Sequence, residues 1–372
     1  MADLLELELE DVQEHFFEAD WTDGLPIVPP TPDRVLDHLL AAGATDPDEV
    51  LGSVAERGVT VTIEQAAISA VMAGCEPRFF PLVVAGVSAL LDPQFNAHTA
   101  CTSTGGAALC LVFSGPLAHE VGMNGQHNAL GPGNRANATI GRALRLVAGN
   151  VLGAKSGQLD ASSVGNPGKY SLCFMEDTPP APWEPLHVAL GYDADDTTVT
   201  LVPTEGPRQV ANHLNPDAEG ILRTFAAAMR DPATFIVGKG GQAVVVLGFE
   251  HRAAIISQGW TRQSVREFLW EHSHVRPEHL TDNGVHLMRT GTAKDMIPDD
   301  RGLLPSVRTP DDILLVTAGG AGAGWSAYIP AWAPHWHAMA RMVTRRVRLP
   351  GEELPLCGPD GCSVDLGPGL AS

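Results

Sequence analysis

Positive charge is what this sequence has least of. Lysine occurs four times in 372 residues, and 24 lysines and arginines stand against 44 aspartates and glutamates, a formal net charge of −20. Nucleic acid and anionic bilayers are bound through a basic face, so neither is expected as a partner. Runs of about 18 uncharged apolar residues are missing, which excludes a membrane-spanning helix. The first residues are acidic (Asp3, Glu6, Glu8, Glu10, Asp11, Glu14) and show neither the basic start nor the apolar core of a secretory leader. Six cysteines are too few for a disulfide framework in a chain this long. Reduced thiols in a cytoplasm are therefore expected. The acidic groups, with Asp193, Asp195 and Asp196, read as a solvated surface.

What the sequence does have is a 44% apolar content, enough for a large core, and a central segment of unusual chemistry. Between Gly122 and Asp177 glycine recurs, interleaved with Asn124, His127, Asn128, Asn134, Arg135, Asn137, Arg142, Lys155, Lys169 and Glu176. Two of the four lysines fall here. Amides and cations on sharply turning backbone suggest groups converging on a ligand.

Gly131-Pro-Gly-Asn134 is a breaker and N-cap, opening a helix over 134–151. Free N–H groups at such a start bind anions, and Asn134, Arg135, Asn137 and Arg142 would add donors, with His127 and Lys155 nearby. A purely structural turn is the alternative. Neither G-x-x-x-x-G-K-[S/T] nor G-x-G-x-x-G occurs here, so a nucleotide has no specific support. Lys169 lies on the Gly165–Lys169 loop before a strand at 171–175. Buried, it would serve as a base or Schiff-base nucleophile; otherwise it pairs with Glu176 or Asp160. Upstream, Cys101 and Ser103 sit in the Ser/Thr/Gly-rich stretch 96–106, close to His98, as reserve nucleophiles or bystanders.

The expected fold is α/β: two similar α/β lobes from an internal duplication, with a cleft between them. The duplication rests on a recurring order of helix, Asp-Pro, Gly-Gly, apolar strand and His-Glu or Glu-His pair at an offset near 135, as in Asp92-Pro93 and Asp231-Pro232. Residues 1–58 form an N-terminal helix and a proline-rich strap (Trp21–Pro32), 59–190 a first lobe, 191–350 a second, and 351–372 a cysteine-bearing tail. The strap either packs across the domain or acts as a lid carrying Thr22 or Asp23. Ile313–Thr317 reads as a buried strand, and its Gly-rich continuation to Gly324 as a ligand loop or a close-packed turn. His272, His274, His279 and His286 lack the i, i+4 spacing of a helical metal site, and His335/His337 carries weight only on a strand. Cys357 and Cys362 are too widely spaced for the common zinc and thioredoxin motifs.

Three stretches together carry a resemblance: Thr22–Thr31 (T-D-G-L-P-I-V-P-P-T), Gly131–Arg142 (G-P-G-N-R-A-N-A-T-I-G-R), and Gly165–Tyr170 with Trp183–His187. They resemble a poorly characterised bacterial family associated with the UGSC (seleno)protein group, over most of residues 20–330. The resemblance implies that the central stretch is the site and brings no defined activity. The U/C-G-S-C motif itself is absent, and Cys357–Cys362 does not match it.

The leading expectation is a cytoplasmic lyase, hydratase or hydrolase acting on a small anionic or carbonyl-containing molecule. Lys169 and Glu176 would be acid/base groups and the Asn/Arg set the anion holder. No motif requires a particular cofactor or metal. A homo-oligomer or a partner subunit is compatible with everything above. The alternative is a non-catalytic partner subunit that handles a thiol or metal through Cys357 and Cys362; a cofactor-binding oxidoreductase is a third reading.

Overall fold

The computed structural model describes residues 8, 11–213, 217–285, 298–334, 340–350 and 352. The readings placed on His286, His335/His337 and the Cys357/Cys362 pair lie outside these residues. The helices are α1 Val12–Glu18, α2 Pro32–Ala41, α3 Ile63–Ala73, α4 Phe80–Leu90, α5 Ala97–Thr102, α6 Pro116–Glu120, α7 Arg135–Leu146, α8 Leu186–Ala189, α9 Ala218–Met229, α10 Phe249–Ser257, α11 Arg262–His272 and α12 Pro277–Thr281. The strands are β1 Val50–Val54, β2 Val59–Thr62, β3 Ala108–Ser114, β4 Leu172–Met175, β5 Thr198–Thr204, β6 Arg208–Ala211, β7 Gly241–Leu247, β8 Ile313–Thr317, β9 Trp325–Pro334 and β10 Val343–Arg346.

One mixed sheet runs through both halves in the order β4-β3-β5-β9-β7-β8, with β10 on β5 and β6 on β9. The pattern in the first half recurs in the second: β3 is parallel to β4 and antiparallel to β5, and β7 is parallel to β8 and antiparallel to β9. The junction is thin, a single β5–β9 pair at Thr204 and Ala331.

Side chains on a strand alternate faces, and here both faces are apolar. Ala108, Cys110 and Val112 of β3 join one cluster with Phe174, Val202, Val246, Val316 and Ile329. Leu109, Leu111 and Phe113 face the other way, against α3, α4 and α7. On β7, Val245 and Leu247 pack under α9, α10 and α11. Because β4 and β8, the two ends of the strand path, share the inner cluster, the sheet must curl round on itself. Their carboxyl ends meet directly: Asp177 N donates to Thr317 O at 2.8 Å.

Local sequence explains the elements that carry the site. Thr62 and Gln65 form a capping box that starts α3. Asn134 caps α7, accepting from Asn137 N at 2.9 Å; the helix then widens into one π turn, Val147–Val151. The strap is clamped across α7: Arg142 makes a two-pronged contact with Asp23 at 2.7 and 2.8 Å and also bonds Leu25 O and Pro26 O. Among the described residues no helix is long and apolar enough to cross a membrane.

Candidate functional site

The sequence-selected polar groups meet only in part: Asn124, His127, Asn128 and Asn134 line one cavity, and the others are spent elsewhere in the chain. Asn137 is 3% exposed, and its amide is spent on the backbone of Asn124 and Ala129. Arg135 bonds Gly74 O and pairs with Glu76 on the surface. Arg142 holds the strap, and Lys155 holds the backbone carbonyl of Asp20. Ser103 accepts from Gly105 N in its own turn. Cys101 is buried on α5, not in an open loop, and burial pushes its thiol up to about 11, so it keeps its proton at neutral pH.

Lys169 takes the ion-pair alternative, with Asp160 as partner. Its ammonium contacts both carboxylate oxygens at 2.5 and 2.7 Å and the Ser162 hydroxyl at 2.7 Å. Arg145 reaches the same carboxylate at 2.9 Å. Burial opposes ionisation of Asp160, yet Lys169, Ser162 and Arg145 together hold its carboxyl below the ordinary range.

Glu176 is 2% exposed and ties four segments together. It accepts from Ser114 Oγ (2.9 Å), Leu186 N (2.6 Å), Arg262 Nη2 (2.6 Å) and Thr317 Oγ1 (3.2 Å). Ser114 Oγ also lies 2.8 Å from His187 Nδ1. A Ser/His/Glu trio invites a nucleophile reading, but Ser114, Glu176 and His187 are each at most 3% exposed. The serine lies within hydrogen-bond distance of the carboxylate as well as the imidazole, so the trio is an interior fastener closed to a substrate. These partners are 10 to 141 residues from Glu176 in sequence, and no local motif announces them.

An open site does exist beside these fasteners. Parallel strands β3 and β4 end together, and the chain leaving β3 passes through α6 into the loop 121–134 that covers their carboxyl ends. Gly125 makes the close approach: a Cβ there would lie 2.6 Å from Met175 O. Under this loop is a cavity of about 450 Å3 lined by His119, Asp177 and the amides of Asn124, Gln126, Asn128 and Asn134. Carboxyl ends of parallel strands are where open α/β sheets place ligands.

Three of the amides are engaged in the loop's own frame. Asn124 Nδ2 bonds His127 O, Asn128 Nδ2 bonds Pro132 O, and Asn134 Nδ2 bonds Gly122 O. His127 is a clamp as well: its Nε2 bonds Ala321 O at 2.8 Å, and its ring sits where a Cβ on Gly320 would be. Groups with capacity left for a guest are His119, Gln126 and Asp177. His119 Nε2 is 3.2 Å from Thr178 Oγ1, and its Nδ1 makes no hydrogen bond among the described residues. Asp177 is fixed by an ion pair with the buried Arg252, and Gln126 Nε2 stands 3.5 Å from its other oxygen. Of the residues selected from sequence, Asn124, His127, Asn128 and Asn134 line this cavity; Lys169, Glu176, Arg135 and Arg142 do not.

The Gly-rich turn after β8 is closed. Glu250 Oε1 accepts from Gly322 N at 2.6 Å and Oε2 from Gly324 N at 3.3 Å. Burial works against its charge, but these N–H groups hold the carboxyl below its ordinary value. No group of three or more His, Cys, Asp and Glu side chains is arranged to hold a metal among the described residues. No protein-family model matches the chain, and no curated protein matches it either.

Proposed function

We propose that the cavity over the carboxyl ends of β3 and β4 is the active site of a lyase, hydratase or hydrolase acting on a small carbonyl-containing or anionic molecule. In this reading His119 Nδ1 takes a proton from the substrate or from an attacking water. The Gln126 amide donates to the carbonyl oxygen as charge develops on it. Asp177, held in place by Arg252, orients the second polar group of the substrate. One observation carries the reading: a titratable imidazole, a carboxylate and a primary amide line the same cavity of about 450 Å3, while the neighbouring polar groups are used up as framework. A volume of that size suits a metabolite of small-molecule scale. The cytoplasm is the proposed location, supported by four described cysteines that are all free and buried.

The test is turnover of a panel of small keto acids, hydroxy acids, esters and amides by wild type, His119→Ala and Gln126→Ala. His119→Ala should lower kcat on any active compound about 100-fold or more with an unchanged circular dichroism spectrum. Gln126→Ala should cost about tenfold or more. Undiminished turnover in His119→Ala rules the assignment out.

A further inference from the structure

A second cavity, of about 700 Å3, lies where the carboxyl end of α9 meets the α11–α12 junction and the turn near Leu303. It shares no lining residue with the first. Its walls are built. His279 on α12 bonds Arg230 O at 2.9 Å, closing α12 onto the end of α9. Val275 and Leu304 exchange backbone hydrogen bonds of 2.9 and 2.8 Å. Beneath them Val237, Val275, Leu280 and Leu304 form a small hydrophobic cluster of their own.

Two arginines line this cavity, Arg230 and Arg276. In a chain of net charge −20 most described arginines close ion pairs, as Arg142 does with Asp23 and Arg262 with Glu176. The guanidiniums of Arg230 and Arg276 have neither an ion pair nor a hydrogen bond among the described residues. Two carboxylates also line the cavity, but Asp231 is already held by Arg208, and Glu278 is exposed on α12 without closing onto either arginine. His274, buried at the rim, bonds Trp270 O through Nδ1 at 2.7 Å, so that nitrogen carries the proton. Two planar five-donor forks around one concave space, left unmatched by a surplus of acid, are suited to an oxyanion bearing two charges.

We propose that this second cavity binds a small doubly charged oxyanion, a phosphate monoester or a dicarboxylate, between Arg230 and Arg276. The site is separate from the proposed catalytic cavity and does not depend on that reading.

The experiment is isothermal titration of the full chain with two probes, inorganic phosphate and succinate, in low-chloride buffer. Saturable binding of at least one probe is expected, weakened about tenfold or more in the Arg230→Ala/Arg276→Ala double variant. Because both side chains are exposed, that variant should keep its melting temperature, read in the same samples. Binding of phosphate alone identifies a phosphoryl ligand, and binding of succinate alone a dicarboxylate; either supports the proposal. Absence of saturable binding for both probes, or equal affinity in the double variant, overturns it. Loss of the binding in His119→Ala instead would assign it to the first cavity and overturn it equally.

Discussion

Two Gly-rich turns follow the two parallel strand pairs of this sheet, and they differ in what fills them. At the carboxyl ends of β3 and β4, the loop 121–134 stands over a cavity with His119, Gln126 and Asp177 around it. After β7 and β8, the turn 318–324 has the chain's own Glu250 seated on its N–H groups. Both turns have the glycine content associated with ligand binding. The difference teaches that glycine content marks close backbone approach, and that a site requires donors and acceptors the protein leaves unsatisfied. Lys169, Glu176 and Arg142 make the same point from the opposite side, since each is fully engaged within the chain.

The largest effect expected from breaking this contrast is at Glu176. Glu176→Ala would leave the half-buried Arg262 and the buried Ser114 without their shared carboxylate, at a cost of about 3–5 kcal/mol in urea unfolding. A loss under about 1 kcal/mol would show that the four-donor hub is not a fastener. Asp160→Asn comes next, at about 3 kcal/mol, because Lys169 and Arg145 lose their shared counter-ion. Its pH dependence has a definite sign. The folded state holds the Asp160 carboxyl below its unfolded value, so its contribution is complete above the unfolded value and vanishes as pH falls through the folded one. As the pH falls below the ordinary aspartate range, about 4, wild type should therefore lose more stability than Asp160→Asn, a gap that acid titration followed by fluorescence would register.

Gly125→Ala should cost about 1–3 kcal/mol, since the added methyl meets Met175 O and the backbone at Asp177. It should also shift the loop and reduce turnover, so thermal melting and activity should fall together. The smallest expected change is Glu250→Ala, about 1 kcal/mol, which frees Gly322 N and Gly324 N. That variant sharpens the comparison most: with its own carboxylate gone, the second turn should acquire weak acetate binding that wild type lacks, detectable by amide NMR shifts at Gly322 and Gly324.

Much of the architecture was legible because the apolar runs are long and cleanly punctuated. Strands β4 and β8 and the Asn134 cap of α7 all lie within a few residues of where the sequence places them. Strands β5 and β9 were not legible, and prolines are the reason. Pro203 and Pro330 sit inside them, and a proline normally demotes a run to an edge or a loop. Here both lie close to the β5–β9 junction, where a single pair at Thr204 and Ala331 is all the ladder requires. Legibility of the site was partial for another reason. The Gly122–Asp177 stretch does contain most of the cavity lining, yet residue type alone cannot tell which amide is already bonded. Asn137 and Asn124 look equivalent in sequence; the first is sealed in the core and the second edges the cavity. His119 lies three residues before the stretch, and its only sequence signal is the His119-Glu120 pair matched by Glu250-His251 in the second half.

The most direct measurement of the central claim is an NMR titration of imidazole-15N-labelled protein with pyruvate and acetate. The account predicts that the His119 ring resonances shift saturably while those of the buried His187 and His251 stay fixed. Uniform small shifts across all histidines, or none at His119, would contradict it.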